Sequence, residues 1–254
     1  IYTLSLHDAL PIYFDKILYV IGNEQTLHIN QLKAVVAKMG YSYHEEIKHI
    51  NFGLVLQGGK KMSTRKGHMT RLQDVLDEAV DLAKEYSEKK NPELQNKDDV
   101  SQAIGVSAVI FNDLKNHRCH DIEFNLEQML QFEGETGPYL QYTSVRINSV
   151  LKQARNISPN IDYMLFQENH YFDIVRILDR FQRLIEKSVT DNDPSIIAKY
   201  ALSLATVYNK FYGMERILNS DEIILNTNII LSRAVKYTLD ESMRLLGMRV
   251  IERM

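Results

Sequence analysis

The sequence predicts an α/β remnant followed by an all-α helical bundle. Two observations indicate the α/β part. The first is a short run of β-branched and aromatic residues, and the second is a later alternating run; a helical pattern lies between them. A strand, a helix and a second strand in this order are typical of a parallel βαβ unit. One observation indicates the bundle: from residue 72 onwards, apolar residues recur mainly at helical spacing.

The α/β part is predicted over residues 16–56. KILYVIG (16–22) ends at a glycine and is typical of a buried strand. A helical pattern runs from about Thr26 to Met39, before Gly40. HINFGLVL (49–56) alternates well enough for a second strand. Because one βαβ unit does not close a core by itself, we expect this to be the last part of an α/β domain whose front is missing.

The helical part is justified by apolar spacing and by helix-start and helix-stop residues. Thr136-Gly137-Pro138 is a strong helix start, because proline is favoured at the first helical position. Gly247 is placed as a C-terminal stop. The other predicted helices share the apolar repeat and cover 72–83, 100–111 after a polar break at 91–99, 174–185, a stretch from Asp193-Pro194 to about Tyr212, and about Asn228 to Leu246.

Composition narrows the classes of function. A net charge of −3 gives no overall attraction for polyanions, so any nucleic-acid surface has to be a local patch. The single cysteine, Cys119, excludes an internal disulfide framework and fits a reducing compartment. Because no apolar run reaches the length of a membrane span and no signal peptide is recognisable, we expect a cytoplasmic protein without a membrane partner.

The first twelve residues, IYTLSLHDALPI (1–12), are treated separately. They look like a translated sequencing adapter, and the sequence after them begins in mid-domain. An ordinary N-terminal strand or helix is the alternative. We predict that residues 1–12 are an artefact and leave them out of the fold prediction.

The stretch GGKKMSTRKG (58–67) is the most distinctive chemically. Its glycines allow a backbone to approach a ligand, its four basic residues supply positive charge, and its hydroxyls add donors. These groups are the ones needed to hold a polyphosphate while charge moves onto its leaving end. The stretch lacks a Walker A pattern and is therefore not a P-loop. A solvated turn with scattered charge is the alternative.

A second candidate site lies on the helix that starts at Gly137. Tyr139, Tyr142 and Arg146 are spaced by three and four residues and therefore share one helix face. Two aromatic rings and a guanidinium suit unstacked bases and phosphates of an RNA loop. Half-buried packing of the tyrosines is the alternative.

Histidine and cysteine crowd together in LKNHRCHD (114–121), which raises the question of a metal site. With one cysteine, no second pair of ligands, and a spacing that fits no zinc site, we predict no metal here. The stretch is interpreted as a connection between the basic loop region and the helical bundle.

Taken together, these stretches resemble arginyl-tRNA synthetases, which are class I aminoacyl-tRNA synthetases. KMSTR (61–65) resembles the KMSKS loop of that class, and ETGPYLQYTSVR (135–146) is the most specific part of the resemblance. The similarity covers 13–254 and also rests on 19–41, 49–67, 111–146 and the terminal ERM (252–254).

The resemblance implies a domain order. We expect the C-terminal part of a Rossmann-type nucleotide-binding domain at 13–56, a KMSKS-type loop and helical connecting region at 57–125, and an α-helical anticodon-binding domain at 126–254.

The resemblance also implies an arginine–tRNA ligase, which activates arginine with ATP and transfers the arginyl group to tRNA-Arg, with Mg²⁺ sharing the phosphate charge. It implies that Lys61 and Ser63 contact the ATP phosphates, and we add Arg65 as a catalytic residue. Thr64 stands where KMSKS has its second lysine, so Arg65 or Lys66 would supply that charge. The remaining residues implied in ATP binding are Gly22, Glu24, Gln25, His28 and Met62.

For the anticodon loop, the resemblance implies contacts from residues of the tyrosine helix, of NKFYG (209–213) and of the C-terminus: these are Tyr139, Gln141, Tyr142, Arg146, Tyr212 and Met254. Asn209 and Phe211 are interpreted as packing residues.

No histidine stands in the H-x-G-H pattern that class I synthetases require. We therefore expect a C-terminal fragment of a monomeric enzyme, inactive by itself because it lacks that half of the active site. Three alternatives stay open: a non-catalytic tRNA anticodon-binding module, a class I synthetase of another specificity, and a structural helical protein that binds no RNA.

Overall fold

The structure, a computed structural model, describes residues 15–61, 71–94, 96–154, 158–219 and 221–254. The described residues divide into two compact units. The first comprises the chain up to Val55 together with Arg118–Ile122, and the second comprises Leu56–His117 together with Glu123–Met254.

The first unit contains the predicted parallel βαβ motif. Its elements are β1 (Ile17–Gly22), α1 (Thr26–Lys38) and β2 (Ile47–Phe52). The two strands pair in parallel, with Ile17 opposite Ile47 at one end and Gly22 opposite Phe52 at the other. This confirms the α/β prediction and brings the carboxyl ends of both strands to the same edge.

The prediction of one strand over 49–56 is wrong, because the strand is interrupted at Gly53. A Cβ at this position would lie 2.3 Å from the carbonyl oxygen of His120, so only glycine fits. The Gly53 N–H donates to the carbonyl oxygen of Arg118 at 2.8 Å, and the Leu54 N–H donates to Asp121 Oδ1 at 2.7 Å. The contacts that end β2 are therefore made to a segment far along the chain.

A second small sheet follows the break. It consists of β3 (Val55–Gln57), β4 (Lys60–Lys61) and β5 (Ile122–Glu123), in the order β4-β3-β5. β3 and β4 pair antiparallel through a two-residue turn, in which Gly58 and Gly59 have φ of +59° and +70°. Left-handed backbone at both central residues is what a type I′ hairpin requires. The basic stretch therefore begins as a hairpin.

The second unit is helical, which confirms the predicted bundle. Its helices are α2 (Leu72–Lys90), α3 (Lys97–Leu114), α4 (Leu126–Met129), α5 (Gly137–Gln153), α6 (Asn169–Leu178), α7 (Phe181–Asp191), α8 (Ser195–Met214) and α9 (Glu222–Leu245). Gly247 follows the last helix with φ of +77°, as its predicted role as a stop requires. Over the described ranges, none of the helices is both long and apolar enough to span a bilayer.

Several helix boundaries differ from the prediction. α2 continues to Lys90, and α3 begins at Lys97, inside the predicted polar break, and ends at Leu114. The apolar repeat over 174–185 is divided between α6 and α7, which separate at Asp179 and Arg180. α9 begins before Asn228, because polar residues in its first turns are buried and bonded. The Asn226 side chain accepts from the Ser158 N–H at 3.1 Å and donates to the Asn160 carbonyl oxygen at 3.1 Å. Polar residues that bond to a neighbouring loop do not end a helix.

The helical unit has two groups of buried apolar side chains. The larger group is contributed mainly by α5, α8 and α9, and the smaller one mainly by α2, α3 and α4. The C-terminal segment, residues 248–254, reaches back to the smaller group. There Arg249 forms a two-pronged ion pair with Asp99 at 2.7 and 2.8 Å, Ile251 is buried, and the Met254 carbonyl oxygen accepts from Asn91 Nδ2 at 3.4 Å.

Close approach of α2 and α3 gives a first prediction. A Cβ on Gly105 would lie 2.7 Å from backbone atoms of Ala79 and Val80, which cannot rotate away. We expect Gly105→Ala to lower the free energy of unfolding by about 1–3 kcal/mol through overpacking. Alanine's better helix propensity, about 1 kcal/mol, works against this loss.

Denaturant unfolding measures this effect, with Gly213→Ala as the matched control. Gly213 also lies in a helix, α8, and a Cβ there would meet nothing within 4 Å. The control is expected to be neutral or slightly stabilising. A Gly105→Ala protein as stable as the control would contradict the packing described here.

Candidate functional site

The start of α5 fixes the position of the tyrosine helix. Thr136 is its N-cap, and its hydroxyl oxygen accepts from the Tyr139 N–H at 3.2 Å. The same hydroxyl donates to the carbonyl oxygen of Gln131 at 2.5 Å, and Pro138 lies in the first turn. These contacts are the ones that a side-chain cap and an early proline provide, so the predicted helix start is confirmed.

A tyrosine–arginine cluster, consisting of Tyr142, Arg146 and Tyr212, lies at the surface between α5 and α8. The central guanidinium carbon of Arg146 lies 4.7 Å from the centre of the Tyr142 ring and 5.1 Å from the centre of the Tyr212 ring. One guanidinium nitrogen also donates to the Tyr142 hydroxyl at 3.1 Å. Tyr142 is 39% exposed and Tyr212 is 38% exposed, so both rings are half packed and half open to solvent.

Asn209 holds this cluster in place. Its Oδ1 accepts from the Arg146 guanidinium at 2.6 Å, and its Nδ2 donates to the Tyr139 hydroxyl at 3.0 Å and to Thr143 Oγ1 at 2.8 Å. One amide on α8 therefore ties three side chains of α5 together. Sequence reasoning treated Asn209 as a packing residue and missed this role, although its position three residues before Tyr212 places both on one face of the helix.

The positive charge of the cluster is not cancelled. Among the ion pairs between described residues, none involves Arg146, and the partners of its guanidinium are a neutral amide, a hydroxyl and two rings. A guanidinium that contacts aromatic rings still has N–H groups that can donate hydrogen bonds to a phosphate or a base. The arrangement can therefore stack an unpaired base and contact an anion at the same place.

Three of the sequence-predicted RNA contacts lie outside the cluster. Gln141 is fully buried, and its Nε2 donates to Arg249 O at 2.7 Å, to Ser107 Oγ at 3.1 Å and to Ala103 O at 3.3 Å. It is a core residue in this fold and is not available to a ligand. Tyr139 is partly buried behind Asn209, and Met254 packs against the smaller apolar group.

The residues implied in ATP binding lie at the carboxyl edge of the β1–β2 pair. Gly22 is the last residue of β1, Glu24 and Gln25 form the 3₁₀ turn after it, and His28 is in the first turns of α1. The last three are exposed. Ligands of open α/β sheets bind outside this edge of the strands, so the positions suit a nucleotide. Lys61 is the last residue of β4, whereas Met62, Ser63 and Arg65 lie outside the described residues.

Two asparagines that sequence reasoning missed connect this edge. Asn51 Nδ2 donates to Asn23 Oδ1 at 2.8 Å, and Asn23 Nδ2 donates to the carbonyl oxygen of Cys119 at 3.1 Å. Arg118 adds a donor to Asn51 Oδ1 at 3.3 Å. Part of the stretch that raised the question of a metal site therefore packs on the strand ends. In the described parts of the chain, no three histidine, cysteine or acidic side chains are grouped as a metal site would need.

Comparisons with known proteins agree with this geometry. The model for tRNA synthetases class I (R), catalytic domain, matches residues 9–126, and the DALR anticodon binding domain matches residues 140–254. The tyrosine–arginine cluster thus lies inside the second match.

Curated relatives match nearly the whole chain. Arginine–tRNA ligase 1 of Bacillus thuringiensis subsp. konkukian is 45% identical over 252 residues, which are 99% of this chain and 44% of the relative. Arginine–tRNA ligase of Ligilactobacillus salivarius is 45% identical over 236 residues, which are 93% of this chain and 42% of the relative. The chain therefore spans less than half the length of these relatives.

Among solved structures, Thermus thermophilus arginyl-tRNA synthetase matches with a TM-score of 0.84 and 25% identity, over 94% of this chain and 41% of that one. The Plasmodium falciparum arginyl-tRNA synthetase matches in fold, with a TM-score of 0.79 and 22% identity over 93% of this chain and 41% of that one. Both parts of the chain, its relatives and its fold thus agree: it belongs to the arginyl-tRNA synthetase family and corresponds to the C-terminal part of its members.

Proposed function

We propose that this chain is the part of an arginine–tRNA ligase that binds the tRNA anticodon loop and carries the ATP-contacting basic stretch. The whole enzyme activates arginine with ATP and transfers the arginyl group to tRNA-Arg. The single observation that carries the proposal is the Arg146 guanidinium, uncancelled by any carboxylate of the described residues and held between two half-exposed tyrosine rings.

The cluster would act on an RNA loop through two kinds of contact. Unpaired bases stack on aromatic rings, and each stacked base contributes about 1–3 kcal/mol. Arginine contacts phosphates and stacks on bases, and both rings of the cluster orient it before the RNA arrives. We assign Tyr142, Arg146 and Tyr212 to direct contact, and Tyr139 and Asn209 to holding them. Met254 remains a predicted contact of the same loop.

For the activation step, Gly22, Glu24, Gln25 and His28 would lie along the adenosine end of ATP. Lys61, Met62, Ser63 and Arg65 would lie along its phosphates. As the arginine carboxylate attacks the α-phosphate, a new bond to phosphorus forms, the bond to the β-phosphate oxygen breaks, and pyrophosphate leaves. The lysine, the hydroxyl and the guanidinium would stabilise the negative charge that develops on this leaving group.

Magnesium would belong to the ATP complex. Mg²⁺ in such enzymes keeps several waters and binds chiefly through the substrate phosphates. In the parts of the chain that are described, no acidic or histidine cluster fits a resident metal ion. The described residues therefore do not fit a magnesium site of their own, and the contribution proposed for this chain is the positive charge and hydroxyls named above.

The remaining expectations are part of the proposal. We assign residues 13–56 to the nucleotide-binding domain, 57–125 to the loop and connecting region, and 126–254 to the anticodon-binding domain. Residues 1–12 are assigned to an adapter. The whole enzyme is proposed to be a cytoplasmic monomer.

Binding of tRNA to this chain tests the proposal. We expect tRNA-Arg to bind more tightly than a tRNA of another specificity, and the affinity to fall steeply as salt is raised from 50 to 200 mM, because phosphate contacts release counterions. Fluorescence anisotropy at several salt concentrations measures both. Tighter binding of a tRNA other than tRNA-Arg would point to another class I specificity, and absence of binding would leave a structural helical protein.

The catalytic assignment is tested by arginine-dependent ATP–pyrophosphate exchange. We expect no activity from this chain alone, and activity from the whole ligase. Binding of tRNA-Arg combined with no activity of the whole protein would indicate a non-catalytic anticodon-binding module. Activity of this chain alone would contradict the expectation that half of the ATP site lies elsewhere.

A further inference from the structure

A single carboxylate accepts hydrogen bonds from the glycine turn with which the basic stretch begins. The Gly58 N–H donates to Glu123 Oε1, and the Gly59 N–H lies 3.3 Å from Oε1 and 3.2 Å from Oε2 of the same side chain. Both glycines have left-handed backbone. Glu123 therefore bonds to a turn 64 and 65 positions earlier in the chain.

The geometry of the turn explains why an acidic residue fits. Successive N–H groups in such a turn point to one side and form a concave site for an anion. β5 positions the Glu123 carboxylate beside the turn. The Phe124 N–H donates to the carbonyl oxygen of Leu56 at 2.7 Å and so holds the neighbouring Glu123 beside β3. The carboxylate satisfies donors that the hairpin itself leaves open.

Among the described residues, the hairpin itself is short. β4 spans two residues, with Lys61 opposite Leu56 and Lys60 opposite Gln57, and β3 is also bonded to β5. A two-stranded hairpin of this length is not stable by itself in water. Together with the bonds of β5 to β3, the contacts of Glu123 therefore fix the turn with which the basic stretch begins.

We propose that Glu123 is a positioning residue for the start of the basic stretch, Gly58–Lys61. By bonding both glycine N–H groups it fixes the turn, and thereby the position at which the backbone of β4 presents Lys61. This inference rests on the proposed function of that stretch. Glu123 does not touch substrate in this role, and it acts through the backbone of Gly58 and Gly59.

Amide hydrogen exchange of Gly58 and Gly59, measured by NMR on this chain, tests the contact directly. We expect Glu123→Ala to raise the exchange rates of both amides by about fivefold or more, because hydrogen bonds to a charged acceptor are lost. Glu123→Gln is expected to restore most of the protection, since its amide oxygen can still accept from both N–H groups. Glu127→Ala, at an exposed position of α4, removes the same charge without touching the turn and is the matched control.

Kinetics of ATP–pyrophosphate exchange in the whole ligase test the consequence. We expect Glu123→Ala to lower kcat about tenfold while the KM for arginine stays unchanged, because the charge stabilised by the loop develops in the transition state. Glu123→Gln is expected to recover most of this loss, and Glu127→Ala is expected to match the unaltered enzyme.

The outcomes separate the two proposals. If the Gly58 and Gly59 amides exchange equally fast with and without the carboxylate, the positioning role of Glu123 is overturned whatever the enzyme does. If protection is lost and kcat is unchanged, the contact is structural only and the inference fails. If the unaltered whole protein lacks ATP–pyrophosphate exchange, the proposed function fails and the kinetic role falls with it, whereas amide protection would still show that the carboxylate holds the turn.

Discussion

Arg146→Ala is expected to weaken binding of tRNA-Arg to this chain by about 10- to 100-fold at 0.1 M salt, which corresponds to losing about 1–3 kcal/mol of stacking and phosphate contact. The arginine is placed to contact RNA, and it also contacts the rings of Tyr142 and Tyr212 and the amide of Asn209. Its removal would therefore disturb three contacts at once. Anisotropy titration with labelled tRNA-Arg measures the change.

Three further variants identify the source of the effect. Arg146→Lys keeps the charge and loses the planar fork, so an intermediate loss is expected if stacking matters beyond charge. Arg176→Ala removes an exposed arginine on α6, where it pairs with Asp173, and Tyr237→Ala removes a tyrosine that is 74% exposed on α9. Both are expected to bind as the unaltered chain does. If Arg146→Ala lowers thermal stability and leaves the affinity unchanged, the cluster is packing and the proposed interface is wrong.

Gln141→Ala is expected to lower the free energy of unfolding by about 2–4 kcal/mol, because it removes a buried side chain and leaves buried acceptors without their donor. The Gln141 amide joins α5 to Ala103 and Ser107 on α3 and to Arg249 of the C-terminal segment. Denaturant unfolding measures the loss. The exposed Gln182→Ala on α7 is the matched control and is expected to change stability by less than about 0.5 kcal/mol.

A second substitution divides this effect into its parts. Gln141 Oε1 is buried and has no hydrogen-bond partner among the described residues. Gln141→Met keeps most of the volume and removes this unsatisfied oxygen together with the donors, so a smaller loss than with alanine is expected. A methionine variant as unstable as the alanine variant would show that the lost amide bonds, and not the lost packing, account for the effect.

The contrast between Arg146 and Gln141 shows what helical spacing can predict. Tyr142 and Arg146 are four residues apart and meet on one face, as the period of the helix requires. Gln141 is two residues from Tyr139, which turns it towards the opposite face of the helix, and there it is buried. The spacing alone therefore predicts the inward position of Gln141. Its inclusion among the RNA contacts came from the family resemblance.

Features fixed by distant parts of the chain could not be predicted from local patterns. The strand break at Gly53 depends on the backbone of Arg118 and His120, and the closing of the Gly58–Gly59 turn depends on Glu123. Local signals predicted their elements correctly: the threonine cap before α5 bonds to a residue three positions on, and the run of β-branched and aromatic residues in β1 is itself typical of a strand. The role of Asn209 depends on how α8 packs on α5, and residue spacing within one helix does not predict how two helices pack.

The C-terminal segment also bears on the order of assembly. Its contacts with Ser107, Asp99 and Asn91 join residues 142, 150 and 163 positions apart. The entropy lost on closing a loop grows with its length, so contacts of this span form after the local helix pairs. Interactions absent from the folding transition state act mainly on the rate of unfolding. The contacts of the C-terminal segment with the α2–α3 pair would therefore form late in folding. Weakening the terminal residues would raise the unfolding rate of the helical unit without slowing its folding.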